Sequence, residues 1–487
     1  MTATAEQSTY TTTMLVNGRW IPGGDGTFEV VNPATGQVLA EVASGSSSDI
    51  DTAVGAARAA LSGEWGEMPG TERARVLNRI ADLIERDVLL FAHLEALEVG
   101  KTIHGVQNFE VPNAVATFRH FAGYADKLHG QTIPTAGYLG RPTHSYTVRE
   151  PIGVIGAIIP WNAPLMITSW KLAPGLAAGN TFVVKPAEDA PLSVLHLAEL
   201  LQEAGLPPGV VNVVPGLGET AGAALASHPD VDKISFTGSP EVGRLIQIQA
   251  AFTFKRVTLE LGGKTPHIVL PDADLDAAVP VIALGLFTNA GEVCAAGTRI
   301  LLHRSIHDEV VRRLVVAAET QVLGDPTDPA TTMGALINSA SRDKVLSYIE
   351  QGREQGAHIA TGGHTVPGPG FFVEPTIFEG VENSMTIAQE EIFGPVGAVM
   401  RFDDIDEAVT LANDTAYGLA ACVWTHDVSH AHRIAARVRA ATVWVNGWGV
   451  MDPALPWGGM KTSGIGRELG WAGILADTEE KVVTIVL

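Results

Sequence analysis

Two residues have neighbours suited to covalent chemistry: Cys294, in TNAGEVCAAGTR (288–299), and Glu260, in LELGGK (259–264). A free cysteine is usually buried and inert. Cys294, however, is followed by Ala295, Ala296 and Gly297, at the mouth of a segment preceding a strand. Small neighbours let a substrate carbonyl approach and let backbone N–H groups face it. Glu260 ends a strand and is followed by two glycines, and strand ends in α/β folds point into the ligand crevice. Cys422, inside the strand-like LAACVW, is the contrasting case and is expected in the core.

Other motifs carry less. GGKT (262–265) lacks the glycine five residues before Gly263 that a phosphate-binding loop needs, because position 258 is Thr. There is no HExxH and no paired CxxC, so no metal site is expected. GLGETA (216–221) follows a strand and matches a dinucleotide fingerprint, GxGxxA, but lacks the usual carboxylate about 20 residues later, where Ser235 and Phe236 stand.

The elements that must position these residues follow from hydrophobic spacing. Met14 to Trp20 reads as extended, and a helical region begins near Asp49. Val76, Leu77, Ile80, Leu83 and Ile84 recur at helical spacing within 71–100, behind a capping Thr71. From Gly153, short β-branched runs alternate with helices: 153–159, 180–184, 209–214, 233–236 and 256–261. That alternation predicts a parallel sheet covered by helices, a Rossmann-type domain. A second α/β series follows, with strands at 266–270, 299–303, 396–402, 420–424 and 442–446 and helices at 275–293 and 306–322. Segment 128–150 and the final KVVTIVL belong to neither series. The latter is a strand without a local partner, which predicts pairing with a neighbouring chain. The expected division is 1–127 with 151–262 as the dinucleotide-binding domain, 263–462 as a catalytic domain, and 128–150 with 463–487 as a small β oligomerisation element.

Composition bounds the partners. The chain has 487 residues, 46% hydrophobic and 18% charged, long enough for two or three domains. Only the first dozen residues read as disordered. A net charge of −22, spread along the chain, disfavours nucleic acid and anionic membrane as partners. Two cysteines cannot build a disulfide framework and fit a reducing cytosol. The opening MTATAEQSTYTTTM has no signal-peptide pattern, and no apolar run is long enough to span a membrane. A cytoplasmic protein is expected.

Eight blocks, in order, resemble the aldehyde dehydrogenase superfamily: PWNAPL (160–165), KLAPGLAAGN (171–180), VVKPAE (183–188), FTGSPEVG (236–243), LELGGK, GEVCAAGTR (291–299), EEIFGPV (390–396) and PWGGMKTSGIGRELG (456–470). The likeness runs from about Val16 to the C-terminus. It implies the α/β fold of that family and oxidation of an aldehyde to a carboxylic acid by the hydrolytic, NAD-dependent branch, with NADP the less favoured cofactor. By similarity Cys294 is the nucleophile, Asn162 and the backbone N–H of Cys294 form the oxyanion hole, Glu260 is the base that activates water, and Lys171 is a relay behind it. On the cofactor, Trp161, Lys185 and Glu188 look like the adenosine side, and Thr237, Gly238 and Ser239 like the pyrophosphate cradle. Gly216 and Gly218 lie nearby by the same likeness, and Ile159 joins the cofactor set. Glu391 would grip the nicotinamide ribose, beside Phe393. The same resemblance implies a homo-oligomer, a dimer or tetramer.

Two departures from the family pattern matter. Relatives commonly have Gln two residues before the nucleophile, where this chain has Glu292. A carboxylate there is expected to raise the thiol pKa unless it points away. The position after Asn162, often aromatic in relatives, is Ala163. With Met166, Trp170, Val293, Ala295, Trp448, Met451 and Trp457, this predicts a roomy apolar pocket for a bulky or aromatic aldehyde. The competing readings are a branch that passes the acyl group to coenzyme A, and a thiol esterase or inert binding protein on the same scaffold.

Overall fold

The structure, a computed structural model, describes residues 10–487. The expectation of disorder for residues 1–9 lies outside the described residues. Residues 11 and 12 are tied down, contrary to expectation: the Thr11 hydroxyl donates to Glu199, and the Thr12 carbonyl accepts the Ala43 N–H at 2.8 Å.

The first sheet has eight strands in the order Gly464–Ile465, Arg256–Glu260, Lys233–Thr237, Val154–Ile158, Thr181–Lys185, Val211–Val213, Met14–Val16, Arg19–Ile21. The five strands from Arg256–Glu260 to Val211–Val213 are parallel; antiparallel Gly464–Ile465 closes one side, and the hairpin Met14–Val16 and Arg19–Ile21 closes the other. Val154–Ile158 and Thr181–Lys185 are buried at every position, which explains why they read as continuous β-branched runs without alternation. From Val154–Ile158 the chain moves outward through Thr181–Lys185 to Val211–Val213, then returns to the opposite side at Lys233–Thr237. That reversal opens a crevice at the carboxyl ends of Val154–Ile158 and Lys233–Thr237.

The second sheet orders seven strands as His358–Thr361, Thr376–Glu379, Val396–Phe402, Arg299–His303, Pro266–Val269, Ala420–Trp424, Thr442–Val445, with only the first antiparallel. Its first two strands escaped the sequence reading because each is only four residues long, and the edge strand His358–Thr361 is only part-buried. Cys422 lies in the middle of Ala420–Trp424, fully buried, as expected.

Three expectations are corrected. The strand at the C-terminus is partnered within its own chain: Thr478–Val486 pairs along its whole length with Thr143–Pro151, and Thr132–Ile133 completes that sheet. Thr71 is not a cap. The helix starts at Gly70, because the Pro69 carbonyl already accepts the N–H groups of Glu72 and Arg73, and a second helix, Val88–Val99, follows a break at Asp87. The helix expected over 275–293 ends at Phe287. Asn289, Ala290 and Gly291 then take φ of 50°, 49° and 77°, a left-handed turn that leads into Cys294. Gly291 is required there: a Cβ would lie 2.2 Å from the Gly394 carbonyl oxygen. No helix among the described residues is long and apolar enough to cross a membrane.

Candidate functional site

A cavity of about 870 Å³ separates the two sheets. From the first sheet it takes the residues after three adjacent strand ends: Trp161, Asn162 and Ala163, Thr237 to Ser239, and Glu260. From the second it takes Val293 and Cys294, Glu391 and Phe393, and the Trp448 to Met451 segment, with Trp457 beside them. Residues from widely separated blocks therefore meet on one surface because parallel strands deliver their carboxyl ends to the same edge.

Cys294 is part-buried and faces the cavity. Burial pushes its thiol up to about 12, Glu391 and Glu260 add to that push, and the backbone N–H groups of Ala295 and Cys294 oppose it. Glu260 is 4% exposed, and neither carboxylate oxygen has a hydrogen-bond partner among the described residues. Burial and the nearby Glu468 drive its carboxyl well above the ordinary carboxylate range, while Lys171 and Arg467 pull it down. Lys171 lies behind the cavity and donates to Glu468 Oε1 at 2.5 Å, Thr237 Oγ1 at 2.8 Å and Ser235 Oγ at 3.1 Å. Glu468 was missed by the sequence reading; it stands in a quoted block, but a glutamate next to Arg467 carries no sign of being buried.

Asn162 is held from both sides. Its carbonyl accepts Lys101 Nζ and Asn289 Nδ2, each at 3.2 Å, and its Nδ2 donates to the Glu292 carbonyl at 2.9 Å. One N–H of that amide remains without a protein acceptor among the described residues, on a residue that lines the cavity. Lys101 and Asn289 were also missed, since their contacts join segments more than 60 residues apart.

Glu292 does not face the nucleophile. Its side chain is fully buried on the far side of the loop, with Oε1 accepting the Ile337 N–H at 3.1 Å. Glu292 therefore points away from the thiol, and the carboxylates acting on Cys294 are Glu391 and Glu260.

The residues expected to hold a dinucleotide spread along the crevice. Ser239 caps the helix Pro240–Ala251, its Oγ accepting the Val242 N–H at 3.3 Å, so the free amides of that terminus face an open cradle. Gly238 packs on Phe236, where a Cβ would come 2.4 Å from the ring. Lys185 Nζ and Glu188 Oε2 lie 2.6 Å apart after the neighbouring strand. Gly218 adjoins Glu188 with open space before it, whereas Gly216 is buried against Gly45 and Ala221. Trp161 and Phe393 meet edge to face at 5.4 Å. Glu391 accepts the Gly263 N–H at 2.9 Å, and burial pushes its carboxyl to about 7. Gly262 leaves room for this carboxylate, since a Cβ there would lie 2.1 Å from Glu391 Oε2 and push the side chain aside. Ile159 is buried, at 2% exposure. These features fit a bound dinucleotide: a helix terminus for phosphates, paired polar groups for a ribose, and aromatic faces for a ring.

The apolar end of the cavity is formed by Ala163, Met166, Trp170, Val293, Trp448, Met451 and Trp457. Trp170 packs against Trp457 at 5.9 Å, and its Nε1 donates to Asn113 Oδ1, which fixes the ring. Ala295 is a correction: it is fully buried and does not line the cavity, and its carbonyl accepts Trp448 Nε1 at 2.9 Å.

The model of the aldehyde dehydrogenase family matches residues 20–483. The chain belongs to the aldehyde dehydrogenase family. It is 49% identical over 462 residues to the mitochondrial aldehyde dehydrogenase of Homo sapiens, covering 94% of this chain and 89% of that one. It is 48% identical over 478 residues to aldehyde dehydrogenase 1A1 of Homo sapiens, covering 97% and 95%. Among solved structures, the NAD+ complex of an aldehyde dehydrogenase from Bacillus cereus superposes with a TM-score of 0.96 at 46% identity, covering 98% of this chain and 96% of that one. Betaine aldehyde dehydrogenase from Staphylococcus aureus gives 0.95 at 38% identity, covering 98% and 94%. The α/β family fold expected from the eight blocks is the fold observed, and this aldehyde dehydrogenase oxidises aldehydes to carboxylic acids.

Proposed function

We propose that this aldehyde dehydrogenase works through Cys294, with NAD as electron acceptor, on bulky apolar or aromatic aldehydes, and releases the acid by hydrolysis. The observation that carries the reading is the meeting across one cavity of Cys294 and a buried Glu260 whose oxygens have no partner among the described residues. An aldehyde has no leaving group, so a covalent bond to sulfur is what lets its C–H electrons depart. Cys294 Sγ, its proton passed to water in the open cavity, bonds to the carbonyl carbon as the C=O π electrons move onto oxygen. The alkoxide so formed is held by Asn162 Nδ2–H and the backbone N–H of Cys294; removing one such donor costs about 3–4 kcal/mol of barrier. NAD, held by the residues named below, would supply the acceptor for the hydride leaving this carbon. The carbon is then a thioester on Cys294, and Glu260 takes a proton from the water that attacks it, releasing the acid and the free thiol.

Thr237, Gly238 and Ser239 would hold the pyrophosphate, Lys185 and Glu188 the adenosine ribose, and Glu391 the nicotinamide ribose. Glu188 would repel a 2′-phosphate, which favours NAD over NADP. Retention of Glu260 argues against transfer of the acyl group to coenzyme A, a branch with no need of a base for water. The test is formation of NADH or NADPH over aliphatic, phenyl-substituted and amino aldehydes, with and without coenzyme A. NAD-dependent turnover of phenyl-substituted aldehydes without coenzyme A is expected, and it is lost in Cys294→Ser. Preference for charged aldehydes overturns the substrate class, and a strict requirement for coenzyme A overturns the hydrolytic step.

We also infer a homo-oligomer. Leu245, Ile248 and Phe252 form an exposed apolar stripe, at 62%, 51% and 79% exposure, along and just beyond the Pro240–Ala251 helix, and Thr478–Val486 is an edge strand. Light scattering of the purified protein reads the subunit number, and a monomer refutes it. The division into a dinucleotide-binding unit, a catalytic unit and a small β element, and a cytoplasmic location, are part of the same proposal.

A further inference from the structure

Glu292 stands two residues before Cys294, and the structure gives it only one side-chain hydrogen bond. Its side chain is fully buried, Oε1 accepts the Ile337 N–H at 3.1 Å, and Oε2 has no partner among the described residues. Its backbone carbonyl is where the nucleophile loop is fastened, accepting Asn162 Nδ2 at 2.9 Å and Asn289 Nδ2 at 3.2 Å. On the other side, Ile337 leads to Asn338, the N-cap of helix Ser339–Glu354, whose Nδ2 donates to Asp189 Oδ1 at 3.3 Å. The charged groups facing Glu292 are Asp189 and Lys101, and Lys101 is already engaged by Glu95 and Glu110.

A carboxylate sealed from water with one N–H donor and another carboxyl nearby is an expensive arrangement. A carboxylic acid in the same place has nearly the shape of glutamine. It offers one oxygen to the Ile337 N–H and places an O–H on the second oxygen, the atom that lacks a partner. Burial drives the Glu292 carboxyl well above the ordinary carboxylate range; the Ile337 N–H and Lys101 oppose this, and Asp189 adds to it.

We propose that Glu292 is a positioning residue that works as an uncharged carboxylic acid, pinning the Cys294 loop to the N-terminus of the Ser339–Glu354 helix, and that its ionisation as pH rises loosens this loop. The catalytic half of this rests on Cys294 being the nucleophile. The stability half does not, so the two can fail separately.

The sign follows from linkage. A carboxyl held protonated in the folded protein and ionised in the unfolded one stabilises fully below the unfolded value of about 4.3, and that contribution is lost as pH rises toward the folded value. The experiment is thermal melting of the cofactor-free protein from about pH 5 to about pH 9, beside the pH profile of kcat. Glu292→Gln should melt close to the parent at the acid end and increasingly above it as pH rises, and its kcat should hold to higher pH. Asp189→Asn should flatten the parent's loss of Tm in the same direction by less. Glu292→Leu, which leaves the Ile337 N–H without its acceptor, should lower kcat about tenfold or more at every pH, because small displacements of a reacting group are costly. A Tm difference between Glu292→Gln and parent that is constant across the range overturns the uncharged state. Parental kcat in Glu292→Leu overturns the positioning role. Loss of activity in Cys294→Ser, measured alongside, tests the nucleophile independently.

Discussion

Lys171 Nζ sits 2.5 Å from Glu468 Oε1, and the pair is buried beside Glu260, whose own oxygens have no partner among the described residues. Glu260 acts as a base only when ionised, so thioester hydrolysis should rise with pH through its raised value. Glu468 pushes that value up and Lys171 pulls it down. Glu468→Gln should therefore move the rising limb of the pH profile to lower pH, and Lys171→Met should move it higher. Removing one partner of a buried pair also costs about 3–5 kcal/mol, visible as a lower urea midpoint. Unmoved limbs in both variants would separate the pair from Glu260.

Glu260→Gln should reduce steady-state turnover by roughly 10²–10⁴-fold while sparing the first chemical step. Rapid mixing should then show a burst of about one reduced cofactor per site, followed by a slow phase, as the acyl group stays on Cys294. Loss of the burst together with turnover would assign Glu260 to the first step.

With its thiol pushed up to about 12, Cys294 should be alkylated slowly by iodoacetamide at neutral pH in the cofactor-free protein, and faster as pH rises. Glu391, itself ionised only above about 7, is the larger of the two carboxylate influences. Glu391→Gln should speed alkylation above that pH and leave it unchanged below. Equal acceleration at all pH values would refute the electrostatic account.

Ala163 borders Met166 and Trp170 at the apolar end of the cavity. Ala163→Phe should lower kcat/KM for phenyl-substituted aldehydes by about 10–100-fold and change small aliphatic ones little, because the ring occupies the space a bulky substrate needs. A uniform loss across the panel would mean that the loop, not the pocket, had been disturbed.

Gly297 lies against His267, and a Cβ there would come 1.9 Å from Nε2. The ring cannot swing away freely, since Trp424 Nε1 donates to its Nδ1 at 3.0 Å and burial holds it neutral, pushing it down to about 3. Gly297→Ala should cost about 1–3 kcal/mol in a denaturant melt, and adding His267→Ala should recover part of the loss. Purely additive losses would show that the two sites do not touch.

Much of this fold is legible in the chain because its signals are local. Thr181–Lys185 and Val154–Ile158 are buried on both faces, so they read as unbroken β-branched runs, and Asp49 sits in a capping box with Ser46 at a helix start. Short edge strands such as His358–Thr361 have half-exposed, mixed composition and leave no such trace. The break at Phe287 is also silent, since the left-handed turn after it depends on Gly394 approaching Gly291 from another segment.

The sequence by itself determined which residues are available for chemistry: Cys294 among small neighbours, Glu260 at a strand end, Asn162 and Glu391 in their blocks. These depend on residue type and near spacing, which the chain carries directly. Only the tertiary structure decided that Glu468 lies against Lys171, 297 positions away, that Glu292 turns from the thiol toward Ile337, that Ala295 is wall support and not wall, and that the C-terminal strand pairs with Thr143–Pro151. Each is a contact between distant segments. Its geometry is set by how two sheets and their loops pack, and no local pattern of residues encodes that distance.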